Sequence, residues 1–239
     1  MKQGMWLLPT LNRPRLLQEF FNAYRKSQGT TPGLVLIDEV DYAKNKAKYD
    51  ILPWPQNWGK KITKGVTMGD KFRETFNMYK DWDWVGILND DHRPKTLYWD
   101  QEILKHLETF TIIGTNDGET PDTPWQLNKI LCGAIVLSGP LLRSLGYMFP
   151  PGLNHLYSDN AWQYIGERLE IIKTLPHVCV HHDHAYIHGR KDSTTLKVNS
   201  KESWEHDERV YNVWLKERAD LDIAKVYSTR QILNSTIDR

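Results

Sequence analysis

Between residues 84 and 96, in WVGILNDDHRPKT, an uncharged run leads straight into Asn89, Asp90, Asp91 and His92. Two adjacent carboxylates repel each other unless they face water or a cation lies between them, and carboxylate oxygens beside one imidazole form a ligand set for Mn2+ or Mg2+. Taken alone, Asp-Asp-His fits a solvated turn that caps the next helix better than it fits a metal site. A second cluster lies toward the C-terminus, where HVCVHHDHAYIHGRK holds His181, His182, Asp183, His184 and His188. On a strand, His182 and His184 point to the same face, as two ligands of one ion must. The competing reading is a patch of surface imidazoles that titrate near neutral pH. Together the two clusters predict one metal ion held between the middle and the end of the chain.

The surrounding pattern supplies elements to position these groups. MWLLPT reads as a strand, Asn12 as a helix cap, and Pro14 as a first-turn residue of a helix that buries Leu16, Leu17, Phe20, Phe21 and Tyr24. PGLVLIDEVD is a second strand ending in acids, whereas residues 43–60 show no clear period. A helix through Phe72, Phe76 and Tyr79 precedes the strand WVGIL, and a further helix runs through Trp99, Ile103, Leu104 and Leu107. TIIGT and ILCGAIVLSG follow as strands, then PLLRSLG and SDNAWQYIGERLE as helices, the second with a Ser-Asp cap and buried Ala161, Trp162, Ile165 and Leu169. Beyond Ser203 the chain reads as helix, with Trp204, Val210, Trp214 and Leu221 expected to pack. This β-α alternation predicts a mostly parallel sheet flanked by helices, with ligands gathered beyond the carboxyl ends of the strands. That rule places Thr10, Asp38 and the residues from Asn89 to His92 on one rim.

Composition narrows the class. With 31 Lys and Arg against 30 Asp and Glu, the formal charge is +1, so no global field drives the chain onto nucleic acid or an anionic membrane. Any nucleic-acid contact would need a local basic face, such as Lys60, Lys61 and Lys64. Cys132 and Cys179 are too few for a disulfide framework and suit a reducing compartment. The opening apolar run is shorter than the core of a signal peptide, and no segment approaches the roughly 20 apolar residues that span a bilayer. A cytoplasmic protein with no membrane partner is expected. The ten Trp and eleven Tyr exceed what a core needs and offer flat surfaces for rings.

A bound ion can activate water in a hydrolase or neutralise a departing diphosphate in a glycosyl transfer. The run from Cys179 to His184 departs from the H-x-H-x-D-H pattern of metallo-β-lactamase-like hydrolases by placing Cys at the first His, and leaves little chain for further ligands. The order of MWLLPTLNRP, LVLIDEVD, VGILNDDHRPKT, GLNHLYSDNAW and HHDHAYIHGRKD resembles GT-A-type glycosyltransferases, family 2-like, close to small enzymes of phage and bacterial genomes. The resemblance covers most of residues 5–192. It implies a GT-A-like, Rossmann-type mixed sheet over 1–202, with 203–239 as a helical extension packed on the same domain.

By that resemblance, Thr10, Arg13, Asp38 and Asp90 fall where such enzymes hold a nucleotide sugar. Asp91, His92, His184 and His182 fall where they hold the divalent metal, Mn or Mg, with the register of the motif open between Asn89-x-Asp91 and Asp90-x-His92. Arg190 and Lys191 match a loop that closes over the diphosphate, and Asp159 matches the base that deprotonates the acceptor hydroxyl, against a reading of Asp159 as a helix cap. Trp125 and Trp162 are candidate acceptor-stacking residues, against a reading as core. The implied activity is hexosyl or pentosyl transfer from a nucleoside diphosphate sugar, a UDP-sugar first. Without a Gln-x-x-Arg-Trp motif a single transfer is expected, inverting if Asp159 is the base. The acceptor is open and includes a modified DNA base. The rival readings are a metal-dependent hydrolase and a non-catalytic nucleotide- or sugar-binding module.

Overall fold

The computed structural model of the chain describes residues 2–118, 131, 133–183, 189 and 192–237. The first half runs β1 (Gly4–Thr10), α1 (Pro14–Lys26), β2 (Gly33–Asp38), α2 (Glu39–Asp50), β3 (Trp58–Thr63), α3 (Met68–Tyr79), β4 (Trp84–Ile87), β5 (His92–Pro94) and α4 (Trp99–Lys105). The second half continues with β6 (Ile112–Asn116), β7 (Ile135–Ser138), α5 (Gly139–Leu145), α6 (Ser158–Leu169), β8 (Ile172–His182), α7 (Ser193–Val198), α8 (Lys201–Glu217) and α9 (Ala219–Ile237).

The strands form one mixed sheet in the order β3-β2-β1-β4-β7-β6-β8-β5. β3, β2, β1 and β4 are mutually parallel, β7 lies antiparallel between β4 and β6, and β8 is parallel to β6. Consecutive buried residues such as Trp6, Leu7 and Leu8 mark strands covered on both faces. One apolar cluster, with Phe72, Phe149 and Trp162, lies on one face; the other, with Phe20, Trp58 and Trp99, lies on the opposite face. At Gly86 a Cβ would come within 2.1 Å of the Trp6 ring, so only glycine lets that indole pack across β4.

β5 decides where the site lies. It follows β4 in sequence yet pairs with β8 at the far edge, with His92 opposite His182 and Arg93 opposite His181. The short link between β4 and β5 therefore curls the sheet and brings the end of β8 to the carboxyl end of β4.

Several expectations change. Residues 43–60 hold most of α2 and the start of β3, with α2 capped by Asp38, whose carboxylate accepts the Asp41 N–H at 2.9 Å. Asn12 is not the cap of α1. It sits at φ 55°, and Arg13 holds the cap position without a side-chain bond. β8 begins well before the histidines, at Ile172. α8 and α9 bury Trp214, Ala219 and Val226 in the same cluster as Trp162, while Trp204 and Leu221 are exposed rather than packed. Among the described residues, no helix is long and apolar enough to cross a membrane.

Candidate active site

A cleft of about 660 Å3 opens at the carboxyl ends of β1 and β4. On its floor Thr10 Oγ1 donates to Asp90 Oδ2 at 2.7 Å, and Arg13 Nη1 lies 3.2 Å from Asp90 Oδ1. Arg13 also donates twice to Asp192, through Nε and Nη2, each at 2.8 Å, which ties the loop after β1 to the cap of α7. Burial opposes the charge on Arg13, but the Asp192 hydrogen bond and the Asp90 carboxylate outweigh it and hold the guanidinium above its ordinary pKa. Burial pushes Asp90 up to about 6 against the pull of Arg13, with the neighbouring Asp91 charge adding to the rise.

The paired carboxylates therefore do different things. Asp90 turns inward to Thr10 and Arg13, whereas Asp91 faces His182, with Oδ1 3.2 Å from Nε2. Asp91, His92 and His182 each offer a ligating atom within 4.8 Å of the others. Three contacts fix this meeting: the β5–β8 register, a hydrogen bond from Asp183 N–H to the Asp91 carbonyl at 2.9 Å, and one from His182 N–H to the Asp117 carbonyl at 2.8 Å. Burial works to raise the Asp91 pKa, but the adjacent His182 imidazole, with His92 and Arg13, holds it well below the ordinary carboxylate range.

Asp91 Oδ1 and His92 Nε2 are buried without an aligned hydrogen bond, a state that a bound cation would relieve at the carboxylate. His92 is a different case. Its Nδ1 accepts the Asn89 N–H at 3.2 Å, and burial, reinforced by repulsion from His182, pushes the ring down to about 3. A neutral ring accepting at Nδ1 carries its proton on Nε2, an atom that is itself buried in the group formed with Asp91 and His182. Asp91 and His182, with His92 beside them, could hold a hard divalent ion.

The other sequence candidates separate. Asp159 lines the same cleft in the first turn of α6, but it does not cap that helix. The cap position belongs to Tyr157, which makes no side-chain cap bond. Asp38 does not line the cleft; it is buried as the cap of α2, 3.6 Å from the Lys71 ammonium. Trp162 is fully buried in the core and presents no face to an acceptor, because its helical spacing with Ala161 and Ile165 turns it onto the sheet. Cys179 and His181 both pack toward Gly118, on the opposite side of β8 from His182, so these two do not meet His182 around one ion. Lys60 is engaged by Asp50 and Tyr42, which removes it from a basic face. Trp125, His184, Arg190 and Lys191 lie outside the described residues.

Some residues in and behind the cleft carried no sequence signal. Lys71 is buried and donates to the Thr10 carbonyl at 2.7 Å; burial holds its ammonium below the ordinary value although Asp38 opposes this. Asp207, fully buried on α8, accepts the backbone N–H groups of Asn154, His155 and Leu156 at 2.9, 2.9 and 2.7 Å. It thereby holds the loop that brings His155 and Tyr157 to the cleft. Such a long-range contact leaves no spacing to detect. Asp192 as a cap before Ser193 was detectable in principle, from Asp followed by Ser-Thr-Thr.

The sequence matches no protein-family model and no curated protein. Solved structures do match. Glucosyl-3-phosphoglycerate synthase from Mycobacterium tuberculosis, in complex with Mn2+, UDP and phosphoglyceric acid, aligns with a TM-score of 0.57 at 12% identity over 87% of this chain and 78% of that one. A mannosyltransferase from Pyrobaculum calidifontis, in complex with GDP-Man and Mn2+, aligns at 0.52 and 11% identity over 98% of this chain and 75% of that one. These are glycosyltransferases of the GT-A type, and the fold of this chain is theirs.

Proposed function

We propose that this chain is a metal-dependent glycosyltransferase that moves a hexose or pentose from a nucleoside diphosphate sugar to an acceptor hydroxyl. The observation that carries the proposal is the meeting of Asp91 with His182 at the carboxyl end of β4, in a cleft whose volume of about 660 Å3 suits a small-molecule ligand. Neighbours of the same fold were crystallised with Mn2+ and UDP or with Mn2+ and GDP-Man, which supports a divalent cofactor and a nucleotide-linked donor. Asp91 and His182 are the ligands assigned here to Mn2+ or Mg2+, with His184 as a candidate third. When bound, the ion supplies positive charge that stabilises the diphosphate as it departs.

The protein's own groups do the rest. Arg190 and Lys191 are assigned to the diphosphate oxygens. Asp90, held by Thr10 and Arg13, keeps the loops after β1 and β4 in register beneath the donor. Asp159 takes the proton of the acceptor hydroxyl as its oxygen attacks the anomeric carbon, and the bond to the diphosphate breaks on the opposite face, which gives inversion. UDP is the nucleotide favoured, and a single transfer the outcome. Incubating the protein with UDP-glucose, UDP-galactose and GDP-mannose, with Mn2+ or with chelator, and following the released sugar by mass spectrometry tests this reading. Slow Mn2+-dependent hydrolysis of one donor is expected. A protein that binds UDP without releasing sugar from any donor would be a binding module instead.

A further inference from the structure

The expected acceptor residue Trp162 is sealed in the core, yet the cleft has an aromatic edge, on the element assigned to a helical extension. Trp204, in the first turn of α8, lines the cleft and is 46% exposed, unusual for the largest apolar side chain. It is not a loose surface residue. Its ring meets Tyr157 edge to face at 5.8 Å and 84°, Tyr157 stacks on Tyr211 at 5.2 Å, and Tyr211 stacks on Trp214 at 5.9 Å. Trp214 is buried, and its indole N–H donates to the buried Asp222. The four rings form a ladder from the core to the cleft, and its last rung is exposed.

The backbone under this ladder is held against its preference. Tyr157 sits at φ 62°, a left-handed conformation unfavourable for a ring-bearing residue. The three residues before it are clamped by Asp207, and the residue two positions after it is Asp159. The strained turn thus sets an aromatic ring and the proposed base at fixed positions in one cleft.

We infer that Trp204, backed by Tyr157, is the acceptor subsite, and that it takes a glycoside whose ring lies with its C–H face on the indole. The inference rests on the transferase reading above. Of the four rings only Trp204 is exposed, and Tyr157 is stacked on Tyr211, so the cleft offers a single ring here, which suits a sugar stacked on one side better than a base sandwiched between two. In the transfer, the glycoside hydroxyl oxygen forms the new bond to the anomeric carbon, its proton passes to Asp159, and the diphosphate leaves with the electron pair of the broken bond.

The test uses the full chain with Mn2+ and the donor that the wild type hydrolyses. Methyl glucosides, methyl galactosides, maltose and cellobiose are offered as glycosides, against 5-hydroxymethyluridine and a DNA oligonucleotide containing it. We expect transfer to at least one glycoside. Trp204→Ala should raise the KM for that glycoside at least tenfold while the donor KM moves less than twofold. Trp204→Phe, which keeps a ring, should recover most of the loss, and Leu221→Ala, on the exposed face of α9, should match the wild type in both. Transfer to the nucleoside or oligonucleotide but to no glycoside would overturn the assignment, as would an unchanged glycoside KM in Trp204→Ala. Donor hydrolysis without transfer to any acceptor offered would overturn the glycoside class alone. Absence of donor hydrolysis would remove the transferase reading and this inference with it.

Discussion

Asp91, His92 and His182 share a composition with Glu102, His106 and His177: one carboxylate and two imidazoles, with ligating atoms within 4.8 Å of one another in each group. In the second group, Glu102 and His106 lie one helical turn apart at α4, and His177 comes from β8, with His Nε2 atoms 3.7 and 3.6 Å from Glu102 Oε1. The two differ in their access to water. Side-chain exposure is 18% for Asp91 and 20% for His182, against 39% for His106 and 57% for His177. Glu102 also has a resident cation, Lys105, on its other oxygen. Water and lysine can satisfy the outer group, whereas the inner one keeps Asp91 Oδ1 and His92 Nε2 buried without an aligned hydrogen bond. A ligand set becomes a site where burial removes the alternatives to the ligand.

Substitutions can break or sharpen that contrast. Asp91→Ala or His182→Ala should lower Mn2+-dependent donor hydrolysis about 1000-fold, near 4 kcal/mol, by removing one of the assigned ligands. Glu102→Gln and His177→Ala should leave that rate within twofold. An equal loss in both groups would mean that burial does not separate them.

The next effect concerns stability. Asp207→Ala removes a buried acceptor from three backbone N–H groups and should cost about 3 kcal/mol, read from the urea midpoint. Asp207→Asn should cost less and still weaken acceptor use.

An intermediate case is Asp192, partly exposed and bonded to Arg13. Burial works to raise its pKa, but the Arg13 hydrogen bond brings it down to about 2 in the folded chain. A depressed carboxylate contributes stability above its unfolded value of about 3.9, and that contribution is lost as pH falls toward 2. Asp192→Asn should flatten the acid limb of stability between pH 4 and 2 by less than about 1 kcal/mol, since solvent screens the pair. Smallest of all, His177→Ala should shift stability by less than about 0.5 kcal/mol, because its partner stays paired with Lys105.

The legible parts of this molecule were local. The periodicity of Leu17, Phe20, Phe21 and Tyr24, of Phe72 and Tyr79, and of Ala161, Trp162, Ile165 and Leu169 marked helix faces that are buried as read. Strand ends placed Thr10 and the Asn89–His92 run on one rim, and both line the cleft. What escaped depends on chain crossings. β5 pairs with β8, not with its sequence neighbour β4, and no pattern within HRP announces that choice. The low apolar content of α2 hid a helix that a buried Asp38 cap and a network around Asp41 define. Trp204 and Trp162 have similar spacing signals, but one helix face meets the core and the other meets the cleft, a difference set by tertiary packing. The Asn89 N–H that fixes the His92 proton is likewise a product of the turn and not of the residue type.

Manganese EPR is the most direct measure of the inner cluster, because free aqueous Mn2+ gives a sharp signal that disappears on binding. Titrating Mn2+ into the protein with UDP present should show one bound ion in the wild type and in His177→Ala, and almost none in His182→Ala. Undiminished binding in His182→Ala, or binding that depends on His177 instead, would contradict the assignment of the ion to Asp91 and His182.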